Sequence, residues 1–323
     1  MDTFLKTFYH ININETIHMD GHTGYQSDDS IYFIISALNK EAIHMEQAAL
    51  AYYLVENGFT QTAFPIPNIY GNWLTKQNNM HYLVVQVLMI SDNLQLSHGK
   101  LLAHFHQKNV SYTYEPQYIS SYGKWRQLWI DKLTTIEQTV FDEANKYLND
   151  YYDVVIDSLP YVIGVSENAI QYLNEVDHDV DYDESDQGTV TFLRYNDQLL
   201  QSIIWVNDLA YDHPTRDIAE YIRHKLLHAE GGVESIQRFI FEYESIRSLS
   251  LFSWHLLYAR LLYPIHLLDT LEKGFLNTPS YNHSSMFIEL INKQPIYEER
   301  LHELFTSFER DDKNKRIPMV QWL

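Results

Sequence analysis

Ile31-Tyr-Phe-Ile-Ile35 is an unbroken apolar run rich in β-branched and aromatic residues, and the polar stretch Asp20-Gly21-His22-Thr23-Gly24 precedes it. With the rest of residues 1 to about 38 it reads as strands joined by a turn. The pattern then changes period. From Lys40 to Glu56, the positions Ile43, Ala48, Ala51, Tyr52 and Val55 fall near helical spacing, and Gly58 stands just past the end. That predicts a helix with Glu46 at its middle. Asn68–Trp73 and His81–Leu88 read as two strands of a hairpin around Lys76-Gln-Asn-Asn79, and a polar break, Ser91-Asp92-Asn93, follows as a hinge. Beyond it the pattern is mostly helical: an amphipathic helix over Ser97–His106, then helices over about 120–147, 160–174, 215–228, 231–246, 249–272 and 284–308. An acidic loop (Glu175–Asp186) and two short strand candidates (Gly188–Tyr195 and Leu199–Val206) interrupt them. Strands with one helix, then mainly helices, make an α+β protein with a small β-rich N-lobe (residues 1–90) and a larger, mainly helical C-lobe (residues 91–323).

The chemistry is concentrated in Trp205–Arg223. An apolar strand ends there (Ile203, Ile204, Val206), the chain turns through polar residues and Pro214, and it restarts as a helix with Thr215 as N-cap. A strand, a short acidic loop and a helix entered by an aspartate, here Asp217, is the arrangement by which small-molecule phosphotransferases present a metal-binding carboxylate.

Composition narrows the partners. The 23 basic and 43 acidic residues give a net charge of −20, which repels nucleic acid and anionic membranes. With no cysteine, disulfides, thiolate metal sites and cysteine nucleophiles are excluded. The first residues, Met1-Asp2-Thr3-Phe4-Leu5-Lys6, lack the basic-then-apolar pattern of a signal peptide. The run nearest to a membrane span, Leu249–Leu268, carries Arg260, two histidines and Pro264. The 25 tyrosines read chiefly as packing residues.

Two motifs then suggest a family. Gly99-Lys-Leu-Leu-Ala-His-Phe-His106 resembles the G-x-x-L-A-x-F-H helix of the aminoglycoside-phosphotransferase-like kinases, in the protein-kinase-like superfamily. Asp212-His-Pro-Thr-Arg-Asp-Ile-Ala219 resembles the D-P-x-x-D-L-A run that follows their metal-binding aspartate. Phe239-Ile-Phe-Glu-Tyr-Glu and the apolar run Leu249–Pro264 resemble the C-terminal helices of one branch, the spore-coat-associated kinase-like proteins of endospore formers. This is the CotS-related group, and within it the YutH type. The resemblance follows element order over nearly the whole chain. It implies a bilobal protein-kinase-like fold, residence in the spore coat after synthesis in the cytoplasm, and other coat proteins as partners.

Phosphoryl transfer needs a Lys on the phosphates, a Glu holding that Lys, a catalytic Asp, and an Asp with an Asn on the metal. The strand within Ile31–Ala37 has no lysine, and Lys40 falls at the helix start, where it is solvated. Glu46 is the helix residue that would face the nucleotide through such a lysine; without one it reads as a surface position. The family's loop H-G-D-x-x-x-x-N falls on Asp186–Asn196. Aligning on the glycine places Gln187, Gly188 and Thr189 at the motif; aligning on the trailing end places Phe192, Leu193 and Arg194 there. Neither supplies His or Asp. Asp186 and Asp197 lie at the wrong spacing and read as solvated loop charges. Counting back from Asp217 for the metal aspartate lands near Trp205–Asn207; Asp208, one residue later, is the carboxylate at hand, and a turn-forming Asn-Asp pair is the competing reading. The resemblance makes Asp217 a structural anchor for the catalytic-loop backbone.

Other signals are weaker. Gly21-His-Thr-Gly24 reads as a hairpin turn more readily than as a phosphate loop. Asp177, Asp179, Asp181 and Asp183 alternate as in a calcium loop, but Tyr182 and Gly188 stand where Gly and Glu are needed. His224 and His228 have zinc-compatible spacing on a predicted helix without a third ligand, and read as surface residues. His98, His104 and His106 read as packing or surface positions. The sequence therefore reads as a pseudokinase, a spore-coat interaction protein with a degenerate catalytic loop and no assigned cofactor. The alternative is an atypical ATP-dependent phosphotransferase, of small molecules or proteins, that uses Mg2+ held by Asp208.

Overall fold

The chain opens with a helix where the sequence reads as a strand. In the computed structural model, which describes residues 2–37, 40–88, 96–144, 150–228, 231–276 and 281–311, helix α1 spans Asp2–Tyr9. Phe4 and Leu5 join Tyr25 and Val84 in a buried cluster, with Phe8 and Tyr9 packed against it. A stripe of so few residues does not separate helix from strand by period; the sheet it packs on decides it.

Strands β1 (Glu15–Met19), β2 (His22–Ser27) and β3 (Ser30–Ala37) form an antiparallel meander. Asp20 and Gly21 make the β1–β2 turn with φ of 47° and 77°. A two-residue turn with both residues left-handed matches the twist of the flanking strands, and Asp-Gly is a favoured pair for it. The expected hairpin-turn reading of this stretch therefore agrees with the structure. Helix α2 (Glu41–Glu56) follows, with Gly58 at φ 93° beyond its end. β4 (Phe64–Pro65), β5 (Leu74–Gln77) and β6 (Met80–Val87) complete a sheet of order β1-β2-β3-β6-β4, with β5 also on β6. The predicted strand at Asn68–Trp73 is instead a loop: Asn68 Oδ1 accepts from the backbone N–H groups of Tyr70 and Asn72, both at 3.0 Å. This side-chain turn competes with the ladder and delays the strand to Leu74. The hinge assigned to Ser91-Asp92-Asn93 and the charged tail after Asp311 lie outside the described residues.

Two compact units interleave along the chain. The first joins Met1–Ser120 with Gly188–Pro214 and Ser245–Arg247. Besides the sheet it holds α3 (His98–Asn109) and a separate antiparallel pair, β7 (Thr189–Phe192) and β8 (Leu209–Asp212). The strand expected over Leu199–Val206 is not one. Ile203, Ile204, Trp205 and Val206 are buried, but Ile204 makes only an isolated bridge, receiving Ala63 N–H at 2.8 Å and donating to Gln61 O at 3.1 Å. An apolar run signals burial, not a ladder.

The second unit, Ser121–Gln187, Thr215–Glu244 and Ser248–Leu323, is helical. It comprises α4 (Trp125–Ala144), α5 (Asp150–Asp179), α6 (Thr215–His228), α7 (Gly232–Glu244), α8 (Leu251–Leu262), α9 (Ile265–Leu276) and α10 (Tyr281–Asp311). The single helix expected over 249–272 is two. Tyr263, the residue before Pro264, is extended at ψ 118°, as proline demands of its predecessor. Conversely, α5 runs through Pro160 and into the expected acidic loop. Among the described residues no helix is long and apolar enough to cross a membrane.

The core of the helical unit carries a pH liability. Burial is the chief cause that lowers the His266 ring to a pKa of about 4, with the Arg223 charge adding to it; its Nε2 meets Gln294 Oε1 at 2.9 Å. A histidine whose folded pKa is depressed stabilises the fold above its unfolded value near 6.5, and that stability is lost as pH falls towards the folded value. Thermal melts from pH 7 to pH 4 should fall progressively below about pH 6.5, and His266→Gln should flatten the slope by on the order of 3 kcal/mol over the window. An unchanged slope in the variant would refute the assignment.

Candidate active site

Most of the residues the sequence singles out lie in the first unit; Gln187 and Asp217 belong to the second. Leu193 N donates to Asp208 O at 2.7 Å, closing residues 193–208 into a loop at the end of the β7–β8 ladder. Gln187, Gly188 and Thr189 lie at the other end, where β7 begins. A Cβ on Gly188 would stand 2.7 Å from the Tyr211 ring, so the glycine serves a close approach; Thr189 Oγ1 donates to His106 O at 3.0 Å. Phe192, Leu193 and Arg194 stand where the loop starts. Phe192 is buried and stacks on Phe105 at 5.3 Å, Leu193 is exposed, and Arg194 is exposed and donates to the carbonyl of Leu193. Neither trio brings an acid or a base to the loop. Within it, Gln198 braces the backbone: its Nε2 donates to Arg194 O at 2.8 Å and its Oε1 accepts from Asn196 N at 2.6 Å.

Trp205 opens the stretch Trp205–Asn207 on which counting back from Asp217 lands. It is 4% exposed, and its ring meets Phe33 of β3 edge-on at 4.9 Å and His22 of β2 at 4.3 Å. Phe33, 1% exposed, is in the strand searched for the phosphate-holding lysine. An interlocked aromatic pair therefore joins the strand Ser30–Ala37 to the stretch before Asp208. Asp208 ends a short 3-10 turn, Val206–Asp208, and is half-buried. Burial raises its carboxyl above the usual range, offset in part by a hydrogen bond from Gln198 and the charge of His22. Among the described residues no three acidic or histidine side chains converge as a metal site would require. Asp208 N donates to Trp205 O at 3.1 Å, which closes the turn.

On α2 the two neighbours Glu46 and Gln47 hold backbone. Glu46 accepts from the N–H groups of Gln117 (2.7 Å), Tyr118 (2.8 Å) and Ile119 (3.1 Å), so its carboxylate fixes a loop. Lys40 is exposed at the N-cap of α2. Gln47, 4% exposed, donates to Asn207 O at 3.0 Å and Leu209 O at 3.4 Å, tying α2 to the turn that carries Asp208. Sequence reasoning passes over Gln47; the signal available was an amide on the apolar face of an otherwise buried helix stripe.

Asp217 is fully buried in the first turn of α6, where the helix dipole favours a carboxylate. Asp186, expected as a solvated charge, is 1% exposed and accepts from Ser250 Oγ at 2.6 Å, Ser253 Oγ at 2.7 Å and Asp183 N at 2.9 Å. Asp197 is left-handed at φ 61° and faces His98 at 3.5 Å, while His98 Nε2 meets Tyr195 OH at 2.6 Å. His106 is fully buried; burial first, then the charges of Arg247 and His213, hold its ring well below the usual range. The alternating aspartates share no calcium loop: Asp177 and Asp179 belong to α5, and Asp183 caps the 3-10 turn Glu184–Asp186. His224 and His228 stack on each other at 4.4 Å on α6.

Comparison with known proteins fits this geometry. The family described as "Spore coat putative kinase YutH" matches residues 2–304. The chain is 29% identical over 331 residues to the endospore coat-associated protein YutH of Bacillus subtilis (strain 168), spanning 99% of this chain and 97% of that protein. An aminoglycoside phosphotransferase from Alicyclobacillus acidocaldarius superposes with a TM-score of 0.61 at 12% identity, over 92% of this chain and 93% of that one. The amicoumacin kinase hAmiN, solved in complex with AMP-PNP, Ca2+ and Ami, gives 0.54 at 14% identity over 94% and 95%. At such identities these structures establish a fold: the expected bilobal α+β kinase-like one.

Proposed function

The chain belongs to the YutH family of spore-coat kinase-like proteins, and from that premise we propose that it is a catalytically degenerate kinase acting in the endospore coat through protein contacts. The observation that carries the reading is the Trp205–Phe33 pair, buried and edge-on at 4.9 Å. Phosphoryl transfer depends on positioned charge on the phosphates and metal, with little covalent help from the protein. On this reading, two apolar rings take the place of such charge. Glu46, which in an active enzyme would hold the phosphate lysine, is engaged by three backbone N–H groups. On this reading Asp217, buried in the first turn of α6, serves as an anchor of the scaffold. The protein is made in the cytoplasm and joins other coat proteins; its net charge of −20 favours partners that carry basic surface.

Titration with ATP, with and without magnesium, followed by thermal shift, tests this. The expected result is no metal-dependent shift at millimolar nucleotide. Asp208→Asn should leave the melting temperature unchanged or slightly higher at pH 7, because it removes a charge that burial disfavours. Metal-dependent ATP binding that disappears in Asp208→Asn would instead establish the phosphotransferase alternative.

A further inference from the structure

Helices α4 and α5 pack on each other, and an open groove of about 670 Å³ runs between them on the surface of the helical unit. Its floor is apolar (Ile130, Leu133 and Ile170), and its walls carry Glu137 and Glu167. Leu133 is buried, whereas Ile130 is exposed. On α4 the lining positions Arg126, Ile130, Thr134 and Glu137 recur every three or four residues, and Phe141, 61% exposed, is next in the same stripe. From Arg126 to Phe141 the stripe is about 22 Å long, roughly four helical turns. None of Asp186, Asp208 and Asp217 lines the groove. Its charge is one-sided. The α5 sequence holds seven carboxylates and no lysine or arginine, and that of α4 holds four carboxylates against Arg126 and Lys132. Lys132 turns to α9, where Asp269 and Glu272 take it at 2.9 and 2.7 Å. Arg126 donates to Asn174 at one end of the groove, about three helical turns from Glu137 and two from Glu167 along their helices.

We propose that the α4–α5 groove is the docking site for a basic amphipathic helix of a partner protein. The inference deepens the reading of a chain that acts through protein contacts, and rests on it. A helix laid in an apolar groove is held by large aliphatic side chains one turn apart, i, i+3 or i+4 and i+7. Ile130 and Ile170 offer the seat for such side chains, and Phe141 extends it along α4. Lysine or arginine on the flanks of that helix would meet Glu137 and Glu167, which fixes its register and steers its approach to an acidic surface. Charge complementarity is what selects this occupant. An acidic helix would be repelled by both walls, and a second copy of this chain, at a net charge of −20, would be repelled as a whole.

The test uses the full chain and a synthetic peptide of about four helical turns, built of leucine and lysine patterned for one apolar face, with a scrambled peptide of the same composition as control. Isothermal titration should show the patterned peptide binding well above the scrambled one. Glu137→Gln/Glu167→Gln should weaken it about fivefold, as the loss of two partly exposed ion pairs would, and Ile130→Ser about tenfold. Glu56→Gln/Glu234→Gln, which neutralises two exposed carboxylates on other helices, should leave the affinity unchanged. All of these side chains are at least partly exposed, so the melting temperatures should match that of wild type. Equal binding of the scrambled peptide, or equal weakening by the two glutamine pairs, would reduce the attraction to net charge and overturn the docking site. A concentration-dependent dimer that Ile130→Ser disrupts would overturn it by giving the face to a second copy. Absence of peptide binding would overturn it too, and would leave the pseudokinase reading standing, since ATP titration decides that one separately.

Discussion

Trp205→Ala should destabilise the protein by roughly 3–5 kcal/mol, the range for truncating a buried tryptophan to a side chain that leaves a cavity. The residue is 4% exposed and closes against Phe33, itself 1% exposed. It lies in a run with no strand ladder of its own, tied by Ile204 to Gln61 and Ala63. A segment without a ladder depends on its side chains for position, so loss of the indole should also loosen the turn at Val206–Asp208 and the Gln47 contacts to Asn207 and Leu209. Trp205→Phe should cost much less, since a smaller ring keeps the edge contact. Chemical denaturation, with exchange read at residues 203–209, measures both. Were Trp205 an incidental occupant of a working site, Trp205→Ala would be nearly neutral; a loss under 1 kcal/mol would remove the main support for the proposed function.

What was legible in the sequence follows from which signals are local. Helices α2, α3 and α6 are read correctly because each has a full stripe at helical spacing with an end marked by Gly58, Ser97 or Pro214. The Asp20-Gly21 turn is legible because its chemistry is confined to two residues. The lack of a lysine in Ile31–Ala37 is a fact of the sequence whatever the fold. Signals set by distant partners were not. Helix α1 is decided by Tyr25 and Val84, and β8 by its pairing with β7, neither of which leaves a mark in Leu209–Asp212. Asp186 looked like one more charge in an acidic stretch, because the serines that bury it lie more than sixty residues away.

That buried carboxylate sets the second large effect. Ser250 is the N-cap of α8, accepting from Ser253 N at 2.8 Å, and its hydroxyl donates onward to Asp186 Oδ1 at 2.6 Å. Ser253 Oγ donates to the same oxygen at 2.7 Å, while Asp186 Oδ2 accepts from Asp183 N at 2.9 Å and completes a capping box there. One side chain thus joins the exit of α5 to the start of α8, a helix with Phe252, Trp254, Leu256, Leu257 and Tyr258 all buried. Asp186→Ala strands the buried Ser253 hydroxyl and removes the acceptor of the half-buried Ser250 hydroxyl and of the Asp183 amide, which at about 1–3 kcal/mol for each buried unsatisfied group, with water relieving the more exposed ones, predicts a loss of about 2–4 kcal/mol. Asp186→Asn keeps two acceptor lone pairs and should fall between wild type and alanine. Ser250→Ala combined with Asp186→Ala should cost clearly less than the sum of the two, because both break the same chain of hydrogen bonds. Urea denaturation and exchange at the first amides of α8 report these changes. Additive losses, or an alanine variant as stable as wild type, would mean that α8 is positioned by its apolar face alone.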